Sequence, residues 1–191
     1  MRDIAVFHQR ALRELARAGA EASDAAGPED ALWVITRTVY DLLGDREAHL
    51  QPGALKEGEK QQFAAGCFMV MPNRQTNILI APVNFGPTQR HMRIPHDLGH
   101  PGHVIKTKQP MRLANTDEHK SFVRILETFR AGSPLFAPIL WKGDALGVLI
   151  CAAQARNTMS EADLELHVAF SHLAAAQWIA HGGPAFLASY S

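Results

Sequence analysis

Apolar residues Ile4, Phe7, Ala11, Leu12, Leu15 and Ala18 recur at three- and four-residue steps with charged residues between them, which predicts an amphipathic helix over 4–18. The segment GAEASDAAG interrupts it. Pro28, Glu29 and Asp30 then start a second helix, PEDALWVITRTVYDLLG, by fixing φ in the first turn and placing carboxylates at the positive end of the dipole. That helix ends at Leu43, before Gly44. Residues 45–60 are polar, with a short strand expected at Ala48–Leu50. Two apolar runs, AAGCFMVMP and NILIAPVNF, flank the turn NRQT and predict an antiparallel hairpin. KQPMRLAN supplies a brief strand. In TDEHKSFVRILETFRAG the spacing of Phe122, Ile125, Leu126 and Phe129 predicts a helix closed by Gly132. SPLFAPILW and ALGVLICAA form a second hairpin across KGD, and Ser160 with Asp163 caps a last helix to about Ala180. Helices at both ends around paired strands make an α+β fold on an antiparallel sheet.

The chain has 191 residues, enough for one domain with a substantial core. Nineteen Lys and Arg balance nineteen Asp and Glu, so no net field draws it to nucleic acid or an anionic membrane. The N-terminus has charges throughout, and no run reaches the roughly 18 apolar residues of a membrane span, so a cytoplasmic protein is expected. Cys67 and Cys151 both lie in apolar strands, where buried reduced thiols are expected.

Candidate chemistry concentrates in IPHDLGHPGHVIKT, which holds His96, His100 and His103 with Asp97 beside the first. On a continuous helix the three rings would share one face and could hold zinc or iron. Pro95, Gly99, Pro101 and Gly102 count against that helix. The alternatives are histidines that hydrogen-bond an organic ligand and histidines that are solvated or cap backbone. His167 and His172 are expected on a subunit or solvent face of the last helix, and Arg90, His91 and Arg93 on a basic edge.

From Pro28 to Ala180 the chain resembles a GAF domain, a small-molecule sensing module. The residues that carry the likeness are Gly102–Ile105, the stretch KTKQPMRL, Asn115–Asp117, Ser133 before LFAPI, the turn KGDALGVLI and the helix entry MSEADLELHVAFSHLAAA. The resemblance implies a central antiparallel sheet of five or six strands. Terminal helices would cover one face, and an irregular helical insert, about Gly86 to Ser133, would roof a ligand pocket on the other. It also implies a short helix or turn that His103 enters near Gly102, with His96 and His100 left in the loop. Residues 28–181 would be the domain and 182–191 a tail. Residues 1–27 would be a helix and linker for dimerisation, because the first helix has a stripe with no evident partner in its own domain and Ala174–Ala176 permit close approach.

Known activities of the family constrain the reading. Free methionine sulfoxide reductases use cysteines in the loop over the pocket, and bilin attachment needs one at its mouth; this chain has none between Gly86 and Ser133. The haem-sensor histidine position is occupied by Gly132. A cyclic-nucleotide motif is echoed by Arg156, Asn157, Met159 and Asp163, but Leu164 stands where an acid belongs. The resemblance therefore implies binding of a small organic ligand by a sensor or regulatory module that is homodimeric. Its candidate contacts are Phe85, His96, Asp97, His100, His103, Asp117, His119, Phe122, Phe129 and Ser133. The alternative is a small enzyme using His and Asp groups with haem or a non-haem metal, for which His96, His100 and His103 are the candidate ligands.

Overall fold

The computed structural model describes residues 3–190. Six strands form one antiparallel sheet in the order β3-β2-β1-β6-β5-β4: β1 Phe63–Val70, β2 Thr76–Val83, β3 Arg93–Pro95, β4 Met111–Arg112, β5 Ser133–Trp141 and β6 Asp144–Ala153. β1 pairs with β6 from Phe63 opposite Ala153 to Met69 opposite Gly147. The central strands are buried on both faces, and so they read as near-continuous apolar runs.

On one face, Phe63, Ala65, Cys67 and Met69 of β1, Leu149 and Cys151 of β6, and Leu135 and Ile139 of β5 meet the helices α1 Ile4–Ser23, α2 Pro28–Leu42 and α4 Glu161–Ala180. On the other, Phe68, Leu79, Phe136, Val148 and Ile150 form a second, smaller core beneath α3 Gly99–Thr107. The period-two alternation of each strand thus assigns one set of side chains to the helical layer and the other to the roof.

The structure differs from the expectations in several places. α1 runs through GAEAS to Ser23, because Ala18 and Ala22 are buried and continue its apolar face. Asp3 caps it by accepting from the Ala5 and Val6 amides. Its stripe of Phe7, Ala11, Ala18 and Ala22 finds its partner within the chain, in the core shared with α2 and α4. Ala174 and Ala175 are buried in the same core, where their small side chains bring α4 close to the sheet. Ala48–Leu50 is a single turn of 3-10 helix rather than a strand. The tail contains a helix, α5 Gly183–Ala188, whose Gly183 lies against Trp178.

The expected helix over Phe122–Phe129 is absent; only a 3-10 turn at Thr116–Glu118 precedes an irregular path to β5. Side chains take the backbone groups that a helix would have paired. The Gln89 carboxamide accepts from the amides of Gly86 and Glu127 and donates to the carbonyl of Ile125. Arg124 donates to the carbonyls of Leu126 and Glu127, and Thr128 to that of Asn84. Leu126 and Phe129 are still buried, against Ala64 and Phe85. The apolar spacing therefore marks the buried Leu126 and Phe129 correctly, but on an irregular path rather than a helix.

His167 lies inside the helical layer rather than on a surface. It is fully buried, with Nε2 bonded to the Leu149 carbonyl at 2.9 Å, so in the neutral ring Nε2 carries the proton and donates. Burial pushes its pKa down to about 4 from an ordinary 6.5, and the bond to Leu149 offsets this only partly. The unfolded chain takes up a proton as pH falls through 6.5, whereas the folded chain resists until about 4. This stability is therefore complete above the unfolded value and falls across that window, by about 3 kcal/mol in all. His167→Gln keeps a donor toward Leu149 and removes the titration. Urea unfolding at neutral pH and at about pH 4.5 should show the wild type losing more stability than the variant. Equal losses would remove His167 as the cause.

Candidate functional site

α3 crosses the roof face of β5 and β6 and begins three residues earlier than the resemblance implied. Gly99 has φ +54°, and Leu98 caps the helix without a side-chain hydrogen bond. Pro101 is the third helical residue, where its missing N–H has no intrahelical carbonyl to lose, so it is tolerated. At Gly102 a Cβ would stand 2.4 Å from the Asp97 carbonyl carbon and 2.6 Å from its Cα. Only glycine lets the helix pack so closely on its own lead-in. His100 and His103 are therefore helical, and His96 stays in the preceding loop.

Between α3, the irregular segment and the sheet lies a small cavity of about 40 Å³, lined by residues that include Phe68, Phe85, Phe122, Phe136 and Ile150. Among the described residues, His100 is the one polar side chain in that lining. It is 8% exposed, and Nδ1 has no hydrogen-bond partner. Its ring stacks on Phe136 (centroids 5.8 Å, interplanar 19°) and meets Phe122 at 5.5 Å and the His119 ring at 6.0 Å. Burial lowers its pKa, and the neighbouring His119 and His103 lower it further, so the ring is neutral at physiological pH.

His100 and Val123 also line a larger, open groove of about 840 Å³ on the outer side of the roof. A cavity of the first size holds little more than a water, whereas the second falls in the range of small-molecule sites, about 300–1,000 Å³. The groove gathers His96, Asp97, His103, Lys106 and Lys108 with Arg74 from the β1–β2 turn and Asp144 from the start of β6. Ile105, Met111, Val123 and Ala145 give it an apolar floor. His96 is oriented by Asn77. The Asn77 Nδ2 donates to the His96 carbonyl at 3.2 Å, which leaves Oδ1 to accept from His96 Nδ1 at 2.9 Å. The Nε2 of His96 is then the ring atom left for a ligand.

Of the sequence candidates, His96, Asp97, His100 and His103 come together in the groove, and Phe85 and Phe122 join His100 around the cavity. His119 reaches the site only through its ring contact with His100. Phe129 packs beneath the roof against Leu126 and Ala64, which line the cavity, but is not itself part of the lining. Asp117 lies elsewhere, in a charge cluster with Lys56, Arg130 and Arg156, where the Arg156 guanidinium holds its carboxyl below the usual range. Ser133 is buried and committed: Oγ donates to the Leu113 carbonyl and accepts from the Met159 amide, both at 3.2 Å. Among the described residues no three His, Cys, Asp or Glu side chains approach closely enough to share a metal ion, so His96, His100 and His103 do not form a ligand set. Arg90 and His91, expected on a basic edge, are paired with Glu29.

Sequence reasoning missed Arg74, Asn77, Lys106, Lys108, Val123 and Phe136. Arg74 sits in a turn and Phe136 on an alternating strand, and neither position signals a site until the roof is in place. At Gly132, a Cβ would meet the Gln154 carbonyl oxygen at 2.1 Å, so the family's haem-ligand position has no room for a histidine. Burial raises the thiol pKa of Cys67, and that of Cys151 to about 12, so neither is an available nucleophile.

The fold has clear relatives. The GAF domain from a phosphoenolpyruvate-protein phosphotransferase of Coxiella burnetii is 21% identical with a TM-score of 0.71, covering 92% of this chain and 96% of that one. The GAF domain from the Acinetobacter phosphoenolpyruvate-protein phosphotransferase is 18% identical with a TM-score of 0.70, covering 87% and 90%. A free methionine-R-sulfoxide reductase from Neisseria meningitidis, in complex with its substrate, is 15% identical with a TM-score of 0.67, covering 87% of each chain. At these identities the likeness is one of fold. No curated protein matches the chain. The model of the GAF domain family matches residues 27–178, most of the chain, and with the six-stranded sheet and its roofed pocket it places this protein in the GAF domain family.

Proposed function

We propose that this GAF domain is a sensor or regulatory module that binds a small organic molecule against α3, with His100 as its buried polar contact. GAF domains are typically small-molecule sensing or regulatory modules. The observation that carries the reading is the His100 Nδ1, buried without a partner in an otherwise apolar lining. An unmet buried polar atom costs about 1–3 kcal/mol, which a ligand recovers by supplying the missing partner. The metal donors do not converge, so His100 acts here as a hydrogen-bonding group rather than a metal ligand.

A thermal-shift screen of small organic compounds tests this. A compound at about 100 times its Kd adds about 2.7 kcal/mol to stability and raises Tm by several degrees. His100→Phe keeps the ring volume and the stacking on Phe136 but removes the nitrogen, and should weaken the same compound about tenfold or more. An undiminished shift in the variant would exclude His100 as the contact.

A further inference from the structure

The outer groove also carries information about the chemistry of its ligand, and this step rests on the site proposed above. Two permanent cations in its walls, Arg74 and Lys106, have exposed side chains with no hydrogen bond or ion pair to any described residue. Lys108 adds a third, with its Nζ donating only to the Gly143 carbonyl. The opposing carboxylates are Asp97 and Asp144, so the permanent charge of the lining is positive before any histidine is protonated. Second, the N-terminus of α3 opens into the same groove uncapped: Leu98 offers no side-chain acceptor, and the Gly99 and His100 amides donate to no described group. A helix start left in this way presents N–H groups and the positive end of the dipole to an anion. Third, His100, whose Nδ1 is buried without a partner, lines both the groove and the cavity. Below these groups the floor of Ile105, Met111, Val123 and Ala145 is apolar.

We infer that the groove takes a small organic anion with an apolar body. Its carboxylate, sulfonate or phosphate group lies at the N-terminus of α3 within reach of the Arg74 charge, and its hydrocarbon or aromatic part covers Val123 and Met111. The opposite polarity fits poorly. An organic cation would face the positive helix end and three permanent cations, with two exposed carboxylates in its favour.

The test uses two dyes that share one aromatic skeleton, 1-anilinonaphthalene-8-sulfonate and the neutral N-phenyl-1-naphthylamine. Each is titrated by fluorescence into the wild-type chain, the His100→Phe variant and the double variant Arg74→Glu/Lys106→Glu. The inference expects the sulfonate to bind the wild type at least several-fold more tightly than the neutral dye. The double charge reversal should weaken it about tenfold while leaving the neutral dye unchanged, and added salt should act in the same direction. Equal affinities for both dyes, with His100→Phe weakening both and the charge reversals weakening neither, would overturn the anion preference and leave the site in place. Binding of neither dye, or binding insensitive to every variant, would count against the site itself as well.

Discussion

Replacing Gly102 with alanine is expected to destabilise the protein by about 3 kcal/mol and to abolish ligand binding at the roof. The added Cβ would meet the Asp97 backbone at three atoms, the nearest 2.4 Å away. Backbone cannot rotate aside as the end of a flexible side chain can, so either α3 or its lead-in must move. Alanine gains about 1 kcal/mol of helix propensity over glycine, which is smaller than the cost of displacing α3. That displacement would carry His100 off Phe136, and Val104 and Ile105 out of the roof core. Gly27→Ala is the control, because a Cβ there meets nothing within 4 Å. Urea unfolding at matched m-values compares the two. A Gly102→Ala protein as stable as Gly27→Ala would show that the close approach does not constrain the helix.

Asp163→Ala should cost a similar amount, about 3 kcal/mol, for a different reason. Asp163 is fully buried where α4 begins. Its Oδ2 accepts from the Ser160 amide at 2.9 Å and the Ser160 hydroxyl at 2.6 Å, while Ser160 Oγ accepts from the Asp163 amide. Its Oδ1 accepts from the Gly44 amide at 2.9 Å, just beyond the end of α2. One carboxylate thus caps α4 and ties it to the chain after α2. Alanine removes the cap, worth about 1 kcal/mol, and strands the Gly44 N–H in the interior, worth about 1–3 more. Asp163→Asn, which keeps an acceptor for Gly44, should lose less. A loss below about 1 kcal/mol in the alanine variant would reduce Asp163 to an ordinary surface cap.

The capping role of Asp163 was legible in the spacing Ser160–Asp163, but its second bond was not, because Gly44 is distant in sequence. The same contrast runs through the molecule. β1, β2, β5 and β6 were readable because they are covered on both faces and carry little besides apolar residues. α3 was harder, since prolines and glycines that would break the middle of a helix are harmless in its first turn. Phe122–Phe129 has helical spacing, yet Gln89, Arg124 and Thr128 supply a competing set of hydrogen bonds that no local pattern encodes. Ser133 and Asp117 are the residue types of a site, and their contacts are structural. The groove residues Arg74 and Lys106 come from a turn and a helix that meet only after the sheet has formed.

The most direct measurement of the proposed site is the long-range ¹H–¹⁵N spectrum of the histidine rings, with His100 assigned through His100→Phe, recorded with and without the strongest compound from the screen. The account predicts that the His100 Nδ1 signal moves on saturation as its missing partner arrives, and that its shift exceeds those of His167 and His91, which lie outside the groove. A saturated complex in which the His100 nitrogens stay unmoved would contradict it.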